Sequence, residues 1–476
     1  MRHFAYRLLA ASSVAWLALA ADAATRPHYG GTLRVEIQAK LSTLDPAEPP
    51  DVAEAAAALK LRELIYDRLV RLDAHGRPEA ALAISWQHDA QAAKWRFQLR
   101  PGVKWQDGAL LAPEEVVTAL EGQMPGASVR LDGETLEIDA GAPAPGLLFT
   151  LATDAGLVIR RSAVGTPPLQ TNAPGELPIG TGPFRLTTWE PGRRAVLAAN
   201  EDYWDGRPYV DSIEIQMGRA SRDELLDLEL GNANVVELDP VEARRAQQEG
   251  KKVWTSAPVE LLCLRFSPNR SAVQDRRVRQ ALADSIDRAA IQKVLLQNYG
   301  DVAGSIFPQW LSGYAFLFPA VMNLDQARQL RGEIGAAPAL KVGYDPGDML
   351  ARQTAERVAV NARDAGITLQ VAPLPAGWNR MADSGVDLWV ERVRIDGPIM
   401  DKGLMEANKG LGLLVNGPDN PEQAYAAERQ FVDSLAVIPL IHIPELLGIA
   451  PRVMDWSATP WGAWHLADIS LAGEKP

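Results

Sequence analysis

The amino-acid sequence predicts an α/β protein of three lobes, in which two halves are joined by crossover strands. Three observations lead to this prediction. The chain has 476 residues, more than one hydrophobic core usually organises. Strand-like and helix-like patterns alternate along it. Two long apolar runs, "PVELLCLRFSPN" near residue 260 and "LAVIPLIHI" near residue 440, bracket a self-contained region, as strands that cross between lobes would.

The N-terminal residues differ from the rest of the chain. Arg2 and Arg7 precede an almost wholly apolar run to Ala20, and small residues follow up to Ala23. This order is typical of a secretory signal peptide, and the run is shorter than the roughly 18 residues of a membrane span. We therefore expect a signal peptide over 1–23 and a periplasmic mature chain. A buried N-terminal helix is the alternative.

The composition excludes several classes of function. The formal net charge of −12 disfavours nucleic acid, whose binding needs a cationic surface. The single cysteine, Cys263, lies in an apolar run and is expected in the core. None of the histidines beyond the signal peptide has a close metal-binding spacing, and His442 is expected to be structural. No metal and no cofactor are predicted, and a nickel role would need a chelating small molecule or a coordinating site.

The first part of the mature chain predicts strands, helices and turns in order. Residues 31–37 alternate as a strand, and an alanine-rich amphipathic helix follows over 51–72. "KWRFQLRPGVKWQDGALLAPEEVVTAL" predicts a strand, a turn and a helix with Pro113 near its first position. "VRLDGETLEIDA" predicts a hairpin. Residues 163–179 are rich in turn formers and predict a lobe boundary.

The stretch "GTGPFRLTTWEPGRRAVLAANEDYWDG", residues 180–206, raises the possibility of a phosphate loop. Pro183 removes a backbone donor and a strand follows, so the loop is rejected and a hairpin is predicted. Gly180 and Gly182 are expected to adopt positive φ in a tight turn. Three aromatic residues are expected to pack the lobe: Trp189, Tyr203 and Trp204.

The remaining elements complete an α/β pattern. "SRDELLDLELGNANVVEL" predicts a helix and a short strand, and "DRRVRQALADSIDRAAIQKVLL" predicts one long helix. "ALKVGYDP", a helix to Ala365 and "ITLQVAPL" form an α/β unit, and "GVDLWVERVRID" is a further strand.

Five segments together resemble the large solute-binding proteins of ABC importers in the oligopeptide, dipeptide and nickel class. They occur in that family's order: "GGTLRVEIQAKLSTLDPAE", "LIYDRLVRLDAHGRPEAALAISWQ", "WRFQLRPGVKWQDGALLAPEEVV", "GTGPFRLTTWEPGRRAVLAANEDYWDGRPYVD" and "DRRVRQALADSIDRAAI". The resemblance implies a periplasmic-binding-protein-like fold whose lobes close over a ligand. The expected bounds are 24–53, 176–258 and 438–476 for lobe I, 54–175 for lobe II and 259–437 for lobe III.

The resemblance also points to a ligand site in "GVDLWVERVRIDGPIMD". In peptide-binding relatives an aspartate after such a strand grips the ligand's α-amino group, and Asp396 keeps the spacing from Asp387. Val393 replaces the usual tryptophan, and arginines flank it. The expected ligand-binding residues are Asp396, Arg394, Arg392 and Trp389. Arg394 shares a face with Asp396 and either holds a ligand anion or neutralises Asp396. The alternative is a shortened surface loop with solvated arginines.

The predicted function is non-enzymatic capture of a peptide or peptide-like small molecule, and its delivery by a monomer to the permease subunits of an ABC importer. The alternatives are a receptor for a non-peptide anionic metabolite such as an opine, and a sensing or chaperone-like module on the same fold. A periplasmic hydrolase is disfavoured, because no Gly-x-Ser-x-Gly elbow occurs. Asp107, Glu114 and Glu115 are better explained by the start of a helix than as a glycosidase pair.

Overall fold

A computed structural model of the chain describes residues 28–46, 48, 54–73, 75–121, 123–124, 126–153, 158–161, 177–335, 339–375, 385–395, 421–459 and 462–473. The predicted signal peptide and Asp396 lie outside the described residues. Strands and helices alternate along most of the chain, as the sequence predicts for an α/β protein.

The helices and strands follow in chain order: β1 (Thr32–Glu36), α1 (Ala55–Ile65), β2 (Val70–Leu72), β3 (Pro78–Ala80), β4 (Ala83–His88), β5 (Lys94–Leu99), α2 (Pro113–Leu120), β6 (Ser128–Asp132), β7 (Thr135–Asp139), α3 (Leu147–Thr153), β8 (Phe184–Glu190), β9 (Arg194–Ala199), β10 (Ser212–Gln216), α4 (Ser221–Leu230), β11 (Val235–Glu237), α5 (Pro240–Gln248), β12 (Lys252–Phe266), α6 (Arg276–Ser285), α7 (Arg288–Val294), β13 (Asp301–Val302), α8 (Gln309–Ser312), α9 (Leu324–Glu333), β14 (Leu340–Tyr344), α10 (Met349–Asp364), β15 (Leu369–Pro373), β16 (Leu388–Arg394), α11 (Pro421–Ser434), β17 (Val437–Ile449), β18 (Val453–Met454) and β19 (Ser470–Leu471).

One mixed sheet of 11 strands runs through both halves of the molecule, in the order β15-β14-β16-β12-β17-β11-β1-β10-β9-β8, with β13 paired to β17. β12 and β17 are the two apolar runs singled out in the sequence. At one end their pair continues through β11 into the strands of lobe I, and at the other end through β16 into those of lobe III. Lobe II has its own four-stranded sheet, β4-β5-β7-β6.

The pairing of β12 with β17 is irregular where the two strands pass between the lobes. The register shifts on both sides of Pro258, and Pro258 lies opposite Pro444. Neither proline has a backbone N–H to donate, so the ladder of hydrogen bonds is interrupted at this point. Ser256 compensates in part, since its hydroxyl accepts the backbone N–H of Glu445 at 2.8 Å. We refer to Pro258 and Pro444 as the proline pair.

The buried hydrophobic residues form separate cores for the three lobes. α1 falls within lobe II in the bounds expected from the sequence, but Leu61, Leu64 and Ile65 are buried in the same core as the strands of lobe I. The core of lobe II begins with Leu69. We therefore propose that the boundary between lobes I and II follows α1.

Two helices differ from their predicted lengths. α1 ends at Ile65, because Tyr66 takes an extended conformation and β2 begins at Val70. The long helix predicted after residue 275 is divided into α6 and α7. Asp287 interrupts it, because its side chain accepts the backbone N–H of Ala290 at 2.9 Å and so starts a new helix.

The hairpin predicted within residues 180–206 is present as β8 and β9, but its glycines serve another purpose. Neither Gly180 nor Gly182 has positive φ. The expectation of a left-handed turn is therefore wrong. A Cβ on Gly182 would lie 2.6 Å from the carbonyl carbon of Ile65, and one on Gly180 would overlap that carbonyl's oxygen. These glycines allow the chain to pass directly against the end of α1.

The aromatic residues of this stretch pack two lobes. Trp189 contacts the core of lobe I, as expected, whereas Trp204 packs against that of lobe II. Trp204 also donates its indole N–H to Asp67 at 2.9 Å, and the Tyr203 hydroxyl lies 3.2 Å from the other carboxylate oxygen. The stretch therefore joins lobe I to lobe II.

We expect Gly182→Ala to destabilise the protein by about 1–3 kcal/mol, because the added methyl group meets backbone that cannot rotate away. Urea unfolding followed by tryptophan fluorescence measures the effect. Gly146→Ala is the matched control, since no atom lies within 4 Å of a Cβ built there. Equal stability of the two variants would contradict the packing role of Gly182.

Candidate functional site

The arginines expected at the ligand site lie at the end of β16, and the structure separates them from Trp389. Side chains alternate along a strand, so Arg392 and Arg394 share one face while Trp389 lies on the other. Trp389 is 3% exposed and packs with Leu374 and Val386. The structure thus brings together the two arginines but not the tryptophan.

Both arginines belong to a row of alternating charges that crosses the sheet. Its members, which we call the charge row, are Lys60, Glu445, Arg394, Glu260, Arg392 and Asp348. Glu445 Oε1 lies 2.7 Å from Lys60 Nζ and 2.7 Å from Arg394 Nη1. Arg394 Nη1 is also 3.8 Å from Glu260 Oε1. Arg392 follows, 2.5 Å from Glu260 Oε2 and 3.5 Å from Asp348 Oδ2.

The charge row connects the two halves of the molecule at the proline pair. Lys60 is on α1 and is anchored in lobe I, whereas Arg394 ends a strand of lobe III. Glu445 immediately follows Pro444 on β17. A single carboxylate therefore binds one cation from each half, next to the point where the backbone ladder is interrupted.

Burial makes this carboxylate important for stability. Burial alone would raise the pKa of Glu445, but Arg394 and Lys60 outweigh it and hold the pKa below its ordinary value. The Lys60 and Glu445 side chains are only 6% and 15% exposed, so water screens their attraction little. The ionised form of Glu445 is the one that the folded structure prefers.

Gly462 and Trp464 lie against the Lys60–Glu445 end of the charge row. Lys60 Nζ lies 4.4 Å from the centre of the Trp464 ring, within the range of a cation–π contact. Gly462 has a φ of +88°, and a Cβ there would lie 2.6 Å from Glu445 Oε2. The backbone of Gly462 can approach the carboxylate this closely because glycine has no side chain. Nothing in the local sequence pattern identifies Glu445, Lys60 or Trp464 as neighbours.

Several other residues weighed in the sequence have structural roles. His442 is 3% exposed, its Nε2 lies 3.1 Å from the carbonyl oxygen of Ile306, and burial lowers its pKa to about 4. Cys263 is buried, as expected. Glu115 accepts the backbone N–H of Ala112 at 2.8 Å, at the start of α2, which agrees with its helix-start assignment. In the part of the chain that the structure describes, no group of three or more His, Cys, Asp or Glu side chains is arranged to hold a metal.

We expect Glu445→Gln to lower stability by about 3–5 kcal/mol, because it leaves the buried cation of Lys60 without its partner. The contribution of Glu445 exists above its ordinary pKa of 4.5 and is lost as the pH falls through its lowered folded pKa. Urea unfolding between pH 3 and pH 7 should show this loss in the wild-type protein and a smaller one in the variant.

Glu190→Gln is the matched control, because it breaks an exposed pair with Arg193, whose side chain is 81% exposed. This variant should change stability little. A Glu445→Gln protein as stable as the control would show that the charge row does not join the halves.

Comparison with known proteins places this architecture in a family. Residues 77–410 match the family model described as "Bacterial extracellular solute-binding proteins, family 5 Middle". The oligopeptide-binding protein AppA of Bacillus subtilis is 24% identical over 302 residues, which cover 60% of this chain and 55% of that protein. The nickel-binding periplasmic protein of Escherichia coli is 24% identical over 344 residues, covering 64% and 65%. The chain thus spans less than two thirds of the length of these two relatives.

Solved structures show the same fold. The ABC transporter substrate-binding protein CtaP of Listeria monocytogenes has a TM-score of 0.79 at 18% identity, covering 94% of this chain and 100% of that one. AppA of Bacillus subtilis in complex with a nonapeptide has a TM-score of 0.75 at 17% identity, covering 94% and 100%. These similarities confirm the predicted periplasmic-binding-protein-like fold.

Within the described ranges, no helix is long and apolar enough to cross a membrane. The family model covers well over half of the chain, and the protein therefore belongs to the bacterial extracellular solute-binding proteins of family 5.

Proposed function

We propose that this protein is the periplasmic receptor of an ABC importer, and that it captures a peptide or peptide-like small molecule and delivers it to the permease subunits. Binding would shift an open arrangement of the two halves to a closed one. The role is non-enzymatic, in line with relatives that are named as binding proteins.

One observation carries this proposal: the two halves are joined by β12 and β17, whose hydrogen bonding is interrupted at the proline pair. A hinge needs a few residues at the ends of rigid elements that absorb a rotation. On the two sides of the proline pair the apolar side chains of these strands are buried in separate cores, although the register shifts once more between Leu262 and Cys263. Rotation concentrated at the proline pair would leave both cores intact.

The ligand site that we propose lies at the end of β16, with Arg394 and Arg392 on the face that carries the charge row. Asp396 lies outside the described residues, so we include it in the proposed site only because of its sequence spacing from Asp387. Trp389 supports the site from the opposite face and takes no direct part in our proposal. An arginine and an aspartate at this position offer one charge to each end of a zwitterionic peptide.

The names of related proteins leave the ligand class broad. They include oligopeptide-binding, dipeptide-binding, glutathione-binding and nickel-binding proteins. The glutathione-binding protein GsiB of Escherichia coli is 23% identical over 457 residues, which cover 90% of this chain and 87% of that protein. A peptide-like ligand is the class that most of these names share.

We expect the radius of gyration to fall when a ligand saturates the protein, because the two halves rotate toward each other about the proline pair. Thermal-shift screening of a di- to pentapeptide library identifies a ligand, and calorimetry establishes saturation. X-ray scattering with and without that ligand then measures the change. An unchanged radius of gyration at proven saturation would contradict a closing receptor.

We expect Arg394→Ala to weaken the binding of peptides with a free C-terminal carboxylate by about ten- to a hundredfold, the usual effect of losing a charge-assisted hydrogen bond. Peptide amides should bind with little change. Calorimetry on both ligand forms measures the difference. Arg429→Ala is the control, because Arg429 pairs with Asp433 on an exposed face of the same lobe. If the affinities for peptide acids and for peptide amides fall equally, Arg394 forms ion pairs within the charge row but does not bind the ligand's carboxylate.

A further inference from the structure

The carboxyl edge of the sheet in lobe I has an unusual set of acidic residues. β1 pairs in parallel with both β10 and β11, so these three strands end at the same edge. α4 connects β10 to β11 across β1, and its first turn also lies there. In open α/β sheets, the carboxyl ends of parallel strands next to such a crossover are where ligands bind.

Gln38, the exposed residue just beyond β1, brings two carboxylates of this edge together. Its side-chain Nε2 donates to Glu224 Oε2 at 3.2 Å, and its backbone N–H donates to Glu237 Oε2 at 2.8 Å. Glu224 has no exposed surface, yet its Oε1 has no hydrogen-bond partner among the described residues. A buried carboxyl oxygen without a hydrogen-bond partner is costly, and a bound polar group would satisfy it.

The cations near this edge are engaged elsewhere. Arg219 pairs with Asp227 and lies 3.4 Å from Glu36, while Lys60 pairs with Glu445. No lysine, arginine or histidine in the described part of the chain lies within ion-pair distance of Glu224 or Glu237. The edge therefore holds more carboxylates than cations.

We propose that this edge binds a cationic group of the ligand, an ammonium or a guanidinium, through Glu224 and Glu237. The inference deepens the receptor function proposed above and rests on it, because it assigns the ligand a positively charged side chain. The edge lies close to the proposed ligand site, since Glu237 pairs with Leu447 of β17, two residues from the Glu445 that binds Arg394.

Protonation gives the site a distinctive pH dependence. The pKa of Glu224 is raised to about 9, mainly by burial; Glu237 and Glu36 act in the same direction, and Gln38 and Arg219 oppose them. Burial also raises the pKa of Glu237, and Glu445 adds to this, whereas Lys60 and Arg394 oppose it. At neutral pH Glu224 holds a proton that a cation must displace into solvent. Affinity for a cation should therefore rise from pH 6 toward pH 9, with release of up to one proton from Glu224.

Two tripeptides test the proposal on the intact protein. Ala-Arg-Ala carries a guanidinium, and Ala-citrulline-Ala replaces it with a neutral group of nearly the same shape. We expect the arginine peptide to bind about tenfold or more tightly in calorimetry, and this preference to disappear in Glu224→Gln and in Glu237→Gln. Glutamine resembles a protonated glutamate in size and hydrogen bonding, so both variants should fold, which circular dichroism checks.

Glu201→Gln is the matched control, because Glu201 follows β9 at the opposite edge and pairs with Arg207. It should retain the preference for arginine. Equal binding of the two peptides, or a preference that persists in both Glu224→Gln and Glu237→Gln, would overturn the proposal.

Agmatine separates failure of this site from failure of the peptide-receptor function. If neither tripeptide binds, thermal-shift measurements with agmatine against equal concentrations of sodium chloride still test the site, whereas the peptide-library screen tests the receptor function. Agmatine should raise the melting temperature of the wild-type protein more at pH 8 than at pH 6, and should not do so in Glu224→Gln. No shift, or an equal shift in wild type and variant, would overturn the proposal.

Discussion

Glu445 binds one cation from each half of the molecule, and the arrangement of the lobes depends on this carboxylate. Its neighbours Lys60 and Arg394 are held by different hydrophobic cores, so the two ion pairs fix lobe I and lobe III relative to β17. All three side chains are largely removed from water, where a missing partner is far more costly than at the surface. These three residues therefore connect the halves by ion pairs at the point where the backbone hydrogen-bond ladder is interrupted.

This combination fits the closing receptor that we propose. In that proposal the proline pair, which has no backbone N–H to donate, would let the strands bend, and the charge row would limit the directions in which they do so. Arg394 lies within this row, between Glu445 and Glu260, and is also proposed to bind the ligand. A ligand charge placed there would act directly on the groups that hold the halves together. The acidic edge of lobe I lies next to the same groups, because Glu237 of β11 pairs with β17 two residues from Glu445, so ligand recognition and closure would share one electrostatic environment.

Much of the fold could be predicted from the sequence, because strands, hairpins and turns leave local patterns. The apolar runs of β12 and β17 identified the crossover strands, and the order of family segments identified the fold. The charge row could not be predicted, since Lys60 and Glu445 are 385 residues apart and no local pattern relates them. The sequence predicts a tight turn at Gly182, because a glycine needed for positive φ and a glycine needed for close backbone approach look the same in a sequence. The predicted strand identifies Arg392 and Arg394 as candidate site residues, but their ion-pair partners are distant in sequence and are visible only in the tertiary structure.

The distance between lobes I and III tests most directly whether the charge row holds the two halves. Spin labels on cysteines introduced at Glu201 and at the fully exposed Asp325, with Cys263 replaced by serine, allow this distance to be measured by pulsed electron paramagnetic resonance. We predict a narrow distribution for the labelled protein and a clearly broader one when Glu445→Gln is added, because one carboxylate no longer binds both cations. Identical distributions in the two proteins would contradict the account.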